Sequence, residues 1–316
     1  MKKLFISILS FTFALILFGT VSYAWFSVST TNVIYDIGLG ITTDNKFQIS
    51  LDGINYYNSL SNEDIMNVVG NNLELLDVTS HDGKIFTKGF PEKNEVAEKN
   101  IDYLSITLYF RTTDFEKNVY LVEDVSRQAY LDKDIDGTYV ISKGINWQAD
   151  STFQYSEDTI INAGERHVLY AAEAVRIGFV EQRIETNIND KRNDDDLNTK
   201  IFDLSRDPSR GYGTSYGSLD YLNVKHGKVY ELPTTVQNVT SKLSEYDEFN
   251  PYQPLDDNSY LIRMAETNRK DHLGDTYFEG KVQLNIWLEG WDADCFDAIL
   301  RDQLTIQLKF KGSRDI

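Results

Sequence analysis

Apolar and polar positions alternate most regularly near the C-terminus. Over 282–289, Val282, Leu284, Ile286 and Leu288 fall on one side, and Gln283, Asn285, Trp287 and Glu289 on the other. A period of two marks a half-buried strand. Leu304, Ile306, Leu308 and Phe310 repeat the pattern against Thr305, Gln307, Lys309 and Lys311. Two strands joined by a short acidic helical turn, each sending four apolar residues to one core, predict a pair in the middle of a sheet. Each buried side chain contributes about 1.5–3 kcal/mol.

The same alternation recurs upstream. Phe47, Ile49 and Leu51 run into Asp52-Gly53, a hairpin signal. Leu104, Ile106, Leu108 and Phe110 form the clearest strand of the first half, with shorter strands at 118–122 and 138–141 and a turn at Asp136-Gly137. Residues 167–180 read as a strand despite their alanines, and Tyr260, Ile262 and Met264 as another. Asn32 to Ile41 is extended, its two glycines suggesting a bulge or a close backbone approach. Ser61-Asn-Glu-Asp64 caps a short helix, and 81–84 and 92–100 read as surface loop. Long amphipathic helices are missing, which argues against α/β folds. The expected fold is an all-β, jelly-roll-like antiparallel β-sandwich with short helices. It forms one domain over 25–316, with a polar, irregular insertion at about 181–258.

The first 24 residues change the picture. Lys2 and Lys3, the apolar run 4–18 and the small residues Ser22 and Ala24 have the layout of a secretory signal cleaved after Ala24. The apolar run is shorter than the roughly 20 residues that span a bilayer as a helix. The expected location is therefore secreted, at the cell surface, with membrane contact only through an uncleaved signal. The formal charge is −18, which disfavours nucleic acid and anionic lipid as partners. The single cysteine, Cys295, forbids an intrachain disulfide. It is either a small core residue or a link between molecules.

The junction Ala24-Trp-Phe-Ser27 resembles those of exported Gram-positive proteins processed by the SipW type of signal peptidase. Further landmarks follow in order: Phe47-Gln-Ile-Ser-Leu-Asp-Gly53, Leu108-Tyr-Phe-Arg111, Val119-Tyr-Leu121, Ala174-Val-Arg-Ile177, and Trp287-Leu-Glu-Gly290 with Asp292, Asp294 and Cys295. Together they resemble exported proteins related in type to the TasA and camelysin-like biofilm matrix proteins. The resemblance implies a jelly-roll-like sandwich and a structural or adhesive role, with self-association or other cell-surface proteins as partners. It also implies assembly into matrix fibres by exchange of an N-terminal arm comprising Trp25, Phe26, Val33, Ile34 and Ile37. An apolar, β-prone arm can add a strand to an open sheet edge of a neighbour, or pair within its own molecule.

Glu289, Asp292, Asp294 and Asp297, with Asp302 shortly after, place several carboxylates on one turn. Calcium takes six to eight oxygen ligands, so a calcium site is one reading, although the spacing is not that of an EF-hand. Capping of the turn near Cys295 by Asp292 or Asp294 is the other. No other cofactor is implied. Gly213-Thr-Ser-Tyr-Gly217 fits a serine-hydrolase pattern. That chemistry needs Ser215 at a sharp strand-to-helix turn with a partnered histidine, and neither the strand nor the helix is legible, so the chain is read as a non-enzyme. Leu232-Pro-Thr-Thr235 lacks the glycine of a sortase signal, and the four histidines have no metal-ligand spacing. Tyr212, Tyr216, Tyr221 and Tyr230 leave a second function class open: a binding module for glycan or a host protein if the rings are exposed, core and rim if they are buried.

Overall fold

The strands predicted by alternation are present, distributed over two facing sheets. The computed structural model describes residues 32–41, 46–70, 73–89, 94–115, 117–122, 137–232, 239–250 and 252–314. Residues 1–24, expected as a signal segment, Trp25 and Phe26 of the expected arm, residues 92 and 93, Asp136 and residues 233–235 lie outside them.

A ten-stranded sheet is built around Thr276–Glu289. Leu104–Thr112 pairs antiparallel with it along one side, from Phe278↔Thr112 to Ile286↔Leu104. Val175–Gln182 pairs antiparallel along the other, from Val175↔Leu288 to Gln182↔Lys281. A seven-stranded sheet is built around Gln303–Ser313, which lies between Asn32–Ile41, Asn118–Leu121 and Tyr139–Ser142. The two C-terminal strands are therefore central, but in different sheets, and 290–302 carries the chain from one sheet to the other. Alternation identifies the face a residue belongs to and leaves its hydrogen-bonded partner open.

The inner faces meet in one core. Val282, Leu284, Ile286 and Leu288 face it from one sheet, and Leu304, Ile306, Leu308 and Phe310 from the other, all buried. Phe310 bridges the layers, its ring 5.1 Å from Phe110 and 6.0 Å from Phe179. The fold is all-β and sandwich-like. Most pairings are antiparallel, but Asn32–Ile41 with Gln303–Ser313, Thr199–Phe202 with Val239–Thr240, and Thr276–Glu289 with Asp77–Thr79 are parallel.

Two α-helices occur among the described residues. Asn62–Val69 starts at Ser61, whose hydroxyl accepts from the Asp64 amide while the Asp64 carboxylate accepts from the Ser61 amide. Ser218–His226 lies inside the insertion. The insertion is more ordered than its composition suggests: Thr199–Phe202 joins the large sheet beside Val175–Gln182. The alanines of 167–180 break the expected single strand into Arg166–Leu169, a 3₁₀ turn at Ala171–Ala174, and Val175–Gln182.

The outer face of the large sheet is covered at one end. Residues 74–89 and 94–103, which include the expected loop at 81–84 and the described part of the one at 92–100, contribute short strands and carry Val78, Phe86, Ala97 and Tyr103 over Trp287, with Ile201 from the insertion completing this second cluster. Trp287 and Glu289, expected toward solvent, are thus buried. The middle of this face is a polar ladder: Ser105 Oγ donates to Asn285 Oδ1 at 2.6 Å and Thr107 Oγ1 to Gln283 Oε1 at 3.0 Å.

Lys311 is also buried, with its ammonium 4.1 Å from the centre of the Tyr246 ring. Desolvation pulls its pKa down from 10.5 to about 8. Between these values the unfolded chain holds the proton that the folded chain has released, so this group's contribution rises with pH. In urea melts at pH 8 and pH 10, wild type should gain about 1–2 kcal/mol relative to Lys311→Met. A constant difference between the two proteins would contradict a desolvated lysine.

Candidate functional site

The acidic turn 289–302 collects partners from distant parts of the chain. Glu289 Oε1 accepts from Thr79 Oγ1 at 2.6 Å and from the Trp291 amide at 3.2 Å, while Oε2 accepts from Trp287 Nε1 at 3.1 Å. Asp292 Oδ1 accepts from the Asp294 amide at 2.8 Å, and Oδ2 from Arg176 Nη2 at 2.5 Å. The fully buried Arg176 guanidinium also lies 3.1 Å from Asp203 Oδ2 and donates to the carbonyls of Gly211 and Val175. Burial pushes the Asp292 carboxyl well above the ordinary carboxylate range, with Arg176 opposing that shift and Asp294 adding to it.

Arg210 holds Asp294 with a two-pronged pair, Nε to Oδ2 at 2.9 Å and Nη2 to Oδ1 at 2.7 Å. Its guanidinium lies 4.1 Å over the Tyr155 ring, and Tyr155 Oη donates to Asp294 Oδ1. Asp297 pairs with Lys225 and accepts from Tyr221 Oη. Asp302 accepts from the amides of Gly144, Ala171 and Gln303, and its own amide donates to Asn32 Oδ1.

The carboxylates named from sequence are thus on one turn but diverge to separate partners. Among the described residues no group of three or more His, Cys, Asp or Glu side chains is arranged to hold a metal ion. The cations at Asp292 and Asp294 are arginines, in place of the calcium reading. Of the capping reading, the Asp292 carboxylate does accept the Asp294 amide just before Cys295, whereas the 3₁₀ turn Asp297–Ile299 begins at Phe296 without a side-chain cap. The turn acts as a latch that ties the insertion, through Asp203, Arg210 and Gly211, onto the end of the sandwich. One signal for it was in the sequence: Arg176 sits in a strand flanked by Val175, Ile177 and Phe179, where a charge requires a partner. Cys295 is buried and its thiol is pushed well above its usual range, chiefly by desolvation.

Tyr221 is core, packed against Phe153 and Phe296. Tyr212, Tyr216 and Tyr230 are half-buried, so the four rings present no joint exposed platform. Ser215 is exposed, and the helix Ser218–His226 does follow it, but 208–210, upstream, is a 3₁₀ turn rather than a strand. The His226 ring bonds Tyr230.

The described part of the N-terminal arm is a strand of its own sheet. Asn32–Ile41 runs parallel to the C-terminal strand from Val33↔Gln303 to Ile41↔Phe310, with a bulge between Ile34 and Asp36. Ile34, Ile37, Leu39 and Ile41 are buried, while Val33 and Tyr35 are exposed. On its other side, among the described residues, it pairs with Leu75, Glu74, Leu60 and Ser59, and the Ile41 amide donates to the Asn58 carbonyl at 3.0 Å. The close approach is at Gly40, where a Cβ would lie 2.7 Å from Lys309 Nζ.

No protein-family model matches this chain, and neither the curated proteins nor the solved structures contain a match.

Proposed function

We propose that this is an exported structural or adhesive protein of the cell surface that assembles by exchanging its N-terminal strand between copies. The observation that carries this reading is the seat of Asn32–Ile41. The strand is continuous on one side with a single parallel neighbour and, among the described residues, is met on the other by two short strands, Ser59–Leu60 and Glu74–Leu75, with one further bond to Asn58. It brings four buried side chains to a core supplied otherwise by later segments. The same strand from a second copy could fill that seat with the same contacts, so exchange would link copies head to tail. The junction Ala24-Trp-Phe-Ser27 and its resemblance to exported matrix proteins support the location. The latch at 289–302 and the partly buried tyrosines suit a scaffold better than a binding platform built on Tyr212, Tyr216, Tyr221 and Tyr230.

The test is assembly of the chain from Trp25 onward, followed by negative-stain electron microscopy and sedimentation, beside a chain lacking 25–37. The longer chain should form filaments. The shorter one should remain monomeric and, added in small amounts, shorten the filaments of the other, because it accepts a strand without donating one. Equal assembly of both chains would refute strand exchange.

A further inference from the structure

The geometry points to a second binding site, a groove for a neutral oligosaccharide on the open end of the large sheet's outer face, independent of the strand seat. Beyond Thr107 and Gln283 the ladder is no longer covered, and the cross-strand pair Tyr109 and Lys281 forms the floor of a groove of about 530 Å³. That volume accommodates a few sugar rings.

Both walls are held by their own hydrogen bonds. On one side the Asp52 carboxylate accepts from the Ile54 and Asn55 amides, the Asn55 side chain and Ser50 Oγ. Gly53, at φ +70°, lies so close to the Tyr109 ring that a Cβ would be 3.2 Å from it. On the other side the Asn187 amide donates to Ile184 O, its side chain donates to Glu266 O, and Asn189 donates to Asn268 Oδ1. A pre-formed site lowers the entropy cost of binding.

The groups along the groove define the ligand class. An aromatic ring offers a surface for the C–H face of a sugar. Planar amides and the Arg269 to Glu279 ion pair offer fixed donors and acceptors for adjacent hydroxyls. Arg269 and Lys281 are balanced by Asp52, Glu185 and Glu279, so the groove has no excess of positive charge to draw an anion, and the chain as a whole carries −18. Apolar ligands would displace water from the remaining donor and acceptor positions of these groups without replacing its hydrogen bonds.

Isothermal titration calorimetry with trimers of cellulose, chitin and starch type, and with an oligogalacturonate as the anionic control, tests the assignment. At least one neutral trimer should bind with a dissociation constant of ~0.1–1 mM. Tyr109→Ala should weaken it at least about tenfold and the exposed Asn268→Ala about threefold or more, with unchanged circular dichroism, while Tyr216→Ala leaves binding intact. Absence of binding by every neutral trimer at 10 mM, as a set limit of roughly −2.7 kcal/mol, would overturn the proposal. So would preference for the anion, loss of binding in Tyr216→Ala, or wild-type affinity in both Tyr109→Ala and Asn268→Ala. None of these outcomes depends on filament formation.

Discussion

Replacing Arg176 with alanine is expected to lower stability by about 3–5 kcal/mol, the cost of removing one partner from a buried ion pair. Without the guanidinium, Asp292 and Asp203 lose the cation they share, and the Gly211 carbonyl loses its donor. For a domain of this size the melting temperature should fall by roughly 6–20 °C. The loss should grow with pH, because burial already disfavours the ionised Asp292 carboxylate and, without Arg176, its charge is uncompensated. Adding Asp292→Asn to Arg176→Ala should restore part of the loss, a non-additivity expected of residues in one network. If the single variant melts within a degree or two of wild type, the latch at 289–302 does not hold the insertion.

Trp287→Ala should be comparably damaging, about 3–5 kcal/mol. The indole is fully buried on the face that simple alternation assigns to water, in edge contact with Phe86 at 5.1 Å, and its Nε1 donates to Glu289 Oε2. Truncation opens a cavity among Val78, Phe86 and Ile201 and removes a donor from a buried carboxylate. Gln283→Ala, on the same face four residues earlier and half-buried, removes only the ladder bonds to Thr107 and Ser105 and should cost no more than about 1.5 kcal/mol. Urea melts of the two variants measure the contrast directly. Similar small losses in both would mean that 74–103 does not close over the sheet.

The contrast between Gln283 and Trp287 also marks the limit of what the chain's pattern reveals. The inward sets at 282–288 and 304–310 were legible because side-chain direction in a strand is fixed by local geometry. Their assignment to separate sheets was not, because strand pairing depends on segments far away in the chain. Burial of the outward Trp287 depends on 74–103, whose short strands are individually too brief to leave a periodic signature. The insertion was legible as polar, yet Ile201, Phe202 and Tyr221 within it are buried; isolated apolar residues in a polar stretch give no period to read. The acidic turn was visible as a cluster, but its partners Arg176 and Arg210 lie 116 and 84 residues away from Asp292 and Asp294. The alternation at Leu104, Leu108 and Tyr109 located the strand that floors the groove, but not the groove, since its walls come from 52–53 and 184–188.

Strand exchange is tested most directly by fastening Asn32–Ile41 to its own sheet. Gly38 is paired with Gln307, and a Cβ at Gly38 would meet no atom within 4 Å, so Gly38→Cys with Gln307→Cys places two thiols side by side within one chain. Oxidised as a monomer, this variant should stay monomeric by electron microscopy and sedimentation, then form filaments once a reductant opens the bond. Filaments assembled equally well by the oxidised monomer would contradict the exchange of this strand between copies.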